Sequence, residues 1–205
     1  MKGQMMHRPL KIADIITFAA ANYPNGELVS VRTEGDIHRT TYREPARRVA
    51  QLAHGLGKLG VNPGDRIATL AWNGYRHFEL YYAISGIGAV CHTINPRLSA
   101  EQMIYIVNHA QDRVLFCDTT FVPIIEKLRA HLPDDLLVVI MTDRAHMPQT
   151  SLEGALCYEE LLEGQAQEID WPDFDENQAA GLCYTSGTTG NPKGTLFSHR
   201  STLLH

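Results

Sequence analysis

The stretch "AAGLCYTSGTTGNPKGTLFSHR", Ala179 to Arg200, decides how the whole chain is read. Its first seven residues, "AAGLCYT", read as a strand, and "TLFSHR" reads as another. Between them, Tyr184 to Gly194 packs four aliphatic hydroxyls, three glycines and one lysine into eleven residues. Gly187, Gly190 and Gly194 let the main chain come close to a ligand. Consecutive N–H groups in such a loop form a concavity for anions. Thr185, Ser186, Thr188 and Thr189 add neutral donors, and Lys193 adds one mobile cation suited to phosphate as a point charge. Many directional donors with little fixed positive charge suit a polyphosphate accompanied by magnesium. The alternative is a polar, Gly-rich surface turn with no ligand. The loop is not a Walker A motif. A G-x-x-x-x-G-K-[ST] pattern begun at Gly187 needs glycine where Pro192 stands, and Lys193 is followed by Gly194 rather than a hydroxyl residue.

Upstream of this loop, strand-like and helix-like segments alternate. "RIATLAW", "AVCHTIN", "RVLFCD" and "LLVVIM" read as strands, the last apolar throughout. "YRHFELYYAISGIG", "SAEQMIYIVNHA" with Ser99 as N-cap, and "FVPIIEKLRAHL" read as the helices between them. Strands apolar on both faces and separated by helices predict an α/β fold with a mostly parallel sheet and flanking helices. Nearer the N-terminus, Ile12, Ile15, Ile16 and Ala19 mark an amphipathic helix within residues 10–23, and "ELVSVRTEGDIHRTTY" reads as a hairpin around Glu34-Gly35-Asp36. Thr41 and Glu44 stand in capping-box register for a helix running to about Gly60, with Pro45 in its first turn.

Gly55-Leu56-Gly57-Lys58-Leu59-Gly60 matches G-x-G-x-x-G, the dinucleotide fingerprint, in the wrong context. A helix precedes it and a strand follows, so no helix N-terminus faces a pyrophosphate. Its glycines are expected to allow close packing and to end a helix.

The 205 residues are 44% hydrophobic and 20% charged, ordinary values for a soluble globular chain long enough to bury a core. A formal charge of −5 argues against a nucleic-acid partner. Between Arg144 and Lys193 there are nine acidic residues and no Lys or Arg, within a segment, 142–178, that reads as a solvated acidic connection with a short helix near "CYEELLEG". Four cysteines, Cys91, Cys117, Cys157 and Cys183, lie far apart without a C-x-x-C pair, which favours reduced thiols over zinc ligation or a disulfide framework. Asp14 interrupts the only N-terminal apolar run, and no stretch approaches the roughly 20 apolar residues of a membrane span. A cytoplasmic setting is the expectation.

The loop "YTSGTTGNPKG" resembles the signature loop of the adenylate-forming enzymes: acyl-CoA synthetases, luciferases and peptide-synthetase adenylation domains. "GDRIATLAWNGYRHFELYYAISGIGAVCHTINPRLSAEQMIYIVNHAQDRVLFCD" and "SHRSTLLH" resemble the medium- and long-chain fatty acyl-CoA synthetase branch. A sister group of that branch activates small thioether acids such as 3-methylmercaptopropionate. The resemblance runs from about Leu10 to the last residue. It implies that residues 1–205 are the incomplete N-terminal part of the large adenylate-forming (AMP-binding) domain, without the C-terminal lid domain, and inactive alone. The short helix expected at a Ser198 or His199 cap agrees, because one to two turns are marginal without more chain to pack on.

The resemblance further implies that Thr185, Ser186, Gly187, Thr188, Thr189, Gly190 and Lys193 contact the ATP triphosphate, with the Thr185 hydroxyl as a ligand to magnesium. The implied reaction has a carboxylate attack the α-phosphorus of ATP to give acyl-AMP and pyrophosphate; the coenzyme A thiol then displaces AMP. ATP, a fatty acid and coenzyme A would be substrates, and a homodimer is the implied assembly. No catalytic residue is assignable, because the family's adenine, ribose, acyl and lid motifs lie downstream of position 205. Thr195 departs from the family's usual valine. A nucleotide-binding module without catalysis is the competing expectation. His77, His92, His109, Trp72, Asn73, Asn95, Arg97, Tyr81 and Tyr82 are read as packing or turn residues.

Overall fold

The computed structural model of the chain describes residue 3 and residues 8–185 and 190–205. The elements in chain order are α1 (Ala13–Asn22), β1 (Glu27–Val31), β2 (Ile37–Thr41), α2 (Arg43–Lys58), β3 (Arg66–Leu70), α3 (Tyr75–Gly86), β4 (Val90–Thr93) and α4 (Ala100–Ala110). They continue as β5 (Val114–Cys117), α5 (Val122–Leu128), β6 (Leu137–Ile140), β7 (Leu156–Cys157), α6 (Tyr158–Leu162), β8 (Ala179–Thr185), β9 (Lys193–Ser198) and α7 (His199–Leu204).

Strands β1 and β2 form a separate antiparallel hairpin, and the other seven form one sheet in the order β7-β6-β5-β3-β4-β8-β9. All its pairings are parallel except β8 with β9. The expected α/β architecture is thus present, and the alternation of side chains along each strand explains it. Ile67, Val114, Phe116 and Val139 point into one apolar core with Val49, Leu52 and Leu56 of α2 and Leu80 and Ile84 of α3. Ala68, Leu70, Leu115, Cys117, Val138 and Ile140 point into a second core with Met103, Ile106 and Val107 of α4 and Val122 and Ile125 of α5. With both faces covered, the strands need apolar residues at every position, as "VLFC" and "LVVI" supply.

Helix α4 starts as expected. Ser99 accepts from the Gln102 amide at 3.2 Å, and the Gln102 side chain accepts from the Ser99 amide at 3.1 Å. The other anticipated capping box is absent. Helix α2 begins at Arg43 after Tyr42, which makes no side-chain cap, and Thr41 is instead the last residue of β2. Its backbone is committed to the ladder with Glu27, which overrides the local capping pattern.

Two of the dinucleotide-like glycines take the expected structural roles, Gly55 in packing and Gly60 at the helix end. A Cβ on Gly55 would lie 2.7 Å from the Leu161 carbonyl oxygen, so this glycine lets α2 press against α6, while Gly60 (φ +76°) follows the helix end in the left-handed region. A feature invisible in the sequence sits beside that contact. Arg48 holds the fully buried Glu79 at 2.7 Å and Glu159 at 2.9 Å, and Arg76 holds Glu159 at 2.8 Å and Glu34 at 2.7 Å. The Tyr158 hydroxyl donates to Glu79 at 2.7 Å. This chain of charges joins α2, α3, α6 and the β1–β2 hairpin.

The acidic segment therefore differs from a purely solvated connection, since Glu159 lies in this network and Tyr158 and Leu162 are buried. Further on, Asp173 pairs with Lys11 at 2.6 Å, and Glu176 accepts from the Leu10 amide at 2.7 Å while pairing with Arg200. The segment thus ties α1 to α7. The fully buried His199 completes the clasp, its Nδ1 3.2 Å from the Ile12 amide and its ring against Phe174.

Two stability predictions follow from these contacts. Gly55→Ala gains roughly 1 kcal/mol of helix propensity but forces a backbone clash worth roughly 1–3 kcal/mol, so a net loss of Tm is expected. Gly57→Ala, which meets no atom within 4 Å, should raise Tm instead; a rise at both positions would refute the packing role.

Burial, with the Lys11 charge nearby, pushes the His199 imidazolium down from its ordinary 6.5 to about 4. The unfolded chain then holds the extra proton between those values, so this stabilisation is present above about pH 6.5 and drains away toward pH 4. Thermal melts across that window should show a falling Tm, with a shallower slope in His199→Asn, which keeps an acceptor near the Nδ1 position. Equal slopes would exclude His199 as the source.

Candidate functional site

Strand order places two loop clusters at the carboxyl ends of the parallel strands. One is the topological switch point between β3 and β5, where consecutive crossovers depart in opposite directions and where open α/β sheets bind ligands. Here it is filled. The Trp72 amide donates to Asp118 Oδ2 at 2.6 Å, the Trp72 ring packs on Phe121 at 5.0 Å, and the remaining cleft measures about 20 Å³. That is far below the roughly 300 Å³ of a small ligand pocket. Burial raises the Asp118 carboxyl to about 6, opposed by the Trp72 amide.

The other sequence-flagged residues along the strand ends also serve structure. The Asn95 side chain accepts from the Arg97 amide at 3.0 Å in a local turn. His77 is buried between the Thr69 hydroxyl at 3.0 Å and the Trp72 carbonyl at 3.2 Å, and desolvation lowers its pKa. Tyr81 stacks on His77, and Tyr82 meets Phe78 edge-on. Tyr81 and Tyr82 also line an apolar groove of about 630 Å³ between α1, α3, β8, β9 and α7, with Cys91, Cys183 and Phe197 on its other walls.

The second cluster is the β8–β9 hairpin. Strand β8 adds to β4 in parallel, with Cys91, His92 and Thr93 opposite Gly181, Leu182 and Cys183. The chain then reverses, and β9 returns antiparallel so that Thr185 stands directly opposite Lys193. Both residues are exposed at the tip, and Gly190 adopts φ +89°, which a non-glycine residue resists. Ser186, Gly187, Thr188 and Thr189 lie outside the described residues.

Of the predicted phosphate contacts, Thr185 and Lys193 are thus brought opposite one another at the carboxyl end of a parallel strand, with Gly190 three residues before Lys193 in the chain. The pairing offers a hydroxyl and an ammonium on adjacent strand ends, complementary to phosphate oxygens. To a magnesium ion Thr185 would offer one hydroxyl oxygen. A single protein hydroxyl suits an ion carried mainly by phosphates and water rather than a caged metal.

Among the described residues, Glu34, Asp143 and His146 are the one trio of side chains close enough to share a cation. Asp143 follows β6, and three strands separate β6 from β8, roughly 19 Å of sheet at the usual spacing. Glu34 is also already held by Arg76 at 2.7 Å and by Thr142 at 3.1 Å.

The sequence reading overlooked Tyr184. Its hydroxyl lies 2.6 Å from His109 Nδ1, directly beside the loop, and only its place immediately before Thr185 hinted at a role.

Residues 17–204 match the family model described as AMP-binding enzyme. Over all 205 residues the chain is 52% identical to a 3-methylmercaptopropionyl-CoA ligase of Ruegeria lacuscaerulensis and 49% identical to a medium-chain-fatty-acid–CoA ligase of Ectopseudomonas oleovorans, covering 38% of each. It is 44% identical over 201 residues, 98% of the chain, to a long-chain-fatty-acid–CoA ligase of Thermus thermophilus, covering 36% of that protein. The chain therefore spans well under half the length of these curated relatives.

Among solved structures, the anthranilate CoA ligase AuaEII in complex with anthranoyl-AMP superposes over 98% of the chain and 37% of its own, with a TM-score of 0.81 at 25% identity. The acetoacetyl-CoA synthetase of Streptomyces lividans superposes over 93% of the chain and 30% of its own, with a TM-score of 0.81 at 26% identity. With the strand–loop–strand hairpin in place and the family model spanning nearly every residue, the chain belongs to the AMP-binding enzyme family.

Proposed function

We propose that this chain supplies the phosphate-gripping part of an ATP-dependent acyl-CoA synthetase, an acid–thiol ligase that works through acyl-AMP. The observation that carries the proposal is the β8–β9 hairpin, which sets Thr185 opposite Lys193 at the mouth of a hydroxyl- and glycine-rich loop. Residues 184–194 are the phosphate-binding loop of this proposal, and residues 142–178 the acidic connection that precedes it. Residues 185–190 and Lys193 hold the β- and γ-phosphates of ATP. A bound magnesium ion would neutralise charge on those oxygens, with Thr185 as its protein ligand.

The acid's carboxylate is already a nucleophile at neutral pH, so adenylation needs no general base from these residues. Their part is to position the triphosphate and to accept the charge of the departing pyrophosphate. A fatty acid is the preferred acyl substrate, supported by the medium- and long-chain ligases among the relatives. A small thioether acid is the second reading, favoured by the 52% identity to the 3-methylmercaptopropionyl-CoA ligase. Coenzyme A is the acceptor in both, in a cytoplasmic enzyme, and a homodimer is its assembly. Among the described residues, no helix is long and apolar enough to cross a membrane.

Calorimetric titration of the chain with MgATP tests the grip. Binding is expected, weakened roughly tenfold by Lys193→Ala, the loss of one charge-assisted contact, and by less in Thr185→Ala. Equal affinity in the wild type and Lys193→Ala would sink the assignment. In the same preparation, MgATP with octanoate should release no pyrophosphate, and turnover would show that the chain needs no further family segment.

A further inference from the structure

The base of the loop is tied to the helical layer behind it by contacts that phosphate binding does not itself require. Side chains alternate along β8, so Tyr184 points to the α4 face while its neighbour Thr185 points away from it. Tyr184 packs there against the small cluster of Val90, Ala110 and Leu182. Its hydroxyl lies 2.6 Å from Nδ1 of His109 on α4, with the two rings edge-on at 5.8 Å.

A second histidine braces the ring from below. His92 is fully buried, its Nδ1 is 2.8 Å from Asp112 Oδ2, and its ring leans on Tyr184 at 5.2 Å. Directly across the hairpin stands Gly194, where an added Cβ would come within 3.2 Å of the Tyr184 ring. The space over Gly194 is thus kept for the tyrosine. Apolar packing alone would be met by phenylalanine, so the hydroxyl's place beside His109 calls for a different account.

We infer that Tyr184, held by His109, is the positioning residue of the phosphate loop. By fixing the end of β8 against α4, it sets where the Thr185 hydroxyl stands relative to Lys193. The inference rests on the proposed phosphate grip, and its main test is independent of any ligand.

Amide hydrogen exchange in the chain should run roughly three- to tenfold faster over residues 183–185 and 193–195 in Tyr184→Phe and in His109→Ala, the effect of one lost hydrogen bond. Exchange in β3 and β5 should stay at the wild-type rate. His109→Asn, which offers a polar atom near the Nδ1 position, should restore slow exchange. Gly194→Ala should reproduce the acceleration by displacing the ring while leaving His109 intact. MgATP affinity should fall in step in the accelerated variants.

Wild-type exchange at the hairpin base in Tyr184→Phe overturns the inference. So does acceleration spread evenly into β3 and β5, which marks a general structural role, or full MgATP affinity in a variant whose hairpin base has loosened. A wild-type chain that takes up no MgATP refutes the phosphate grip instead, and the exchange comparison still decides whether Tyr184 anchors the hairpin.

Discussion

The parallel pairing of β4 with β8 is the contact on which the candidate site depends. Only three residue pairs define it, from Cys91↔Gly181 to Thr93↔Cys183, yet it joins a strand distant in sequence to the centre of the sheet. Because β4 is covered by helices on both faces, β8 inherits a rigid neighbour along one side. The antiparallel return of β9 then projects the loop from the carboxyl end of β8, where loops carry function on a rigid scaffold. A slip of one residue in this pairing would turn Thr185 to the opposite face and Tyr184 with it.

Much of this scaffold was legible in the sequence because the forces that form it are local or periodic. "RVLFCD" and "LLVVIM" are apolar at successive positions, the pattern of strands buried on both faces. Ser99 and Gln102 are three residues apart and cap α4 without outside help. Ser198 likewise caps α7 by accepting from the Ser201 amide. Gly55 and Gly60 follow the reading of the fingerprint-like run as packing and helix termination.

What stayed hidden depends on partners far apart in the chain. Arg48 and Glu159 are 111 residues apart, and nothing near either one announces their ion pair. The same holds for His109 and Tyr184, which meet across 75 residues. The two-residue strand β7 is too short for periodicity to register, and it exists because β6 offers an edge to it. Thr41 shows the opposite failure, a local capping signal overruled by its place in a ladder. For the hairpin, local chemistry suggested the ligand class, while only the fold could show that Thr185 faces Lys193.

The two margins of the large sheet are unlike. On one side β7 is blunted to two residues. On the other, β9 runs for six, with Leu196 and Phe197 largely open to solvent and no strand beyond it among the described residues. Peptide groups along such a border are unpaired, so another strand can dock there without disturbing anything already in place. The sheet is blunted at one flank and extensible at the other, and the extensible flank is the one that carries the hydroxyl- and glycine-rich loop.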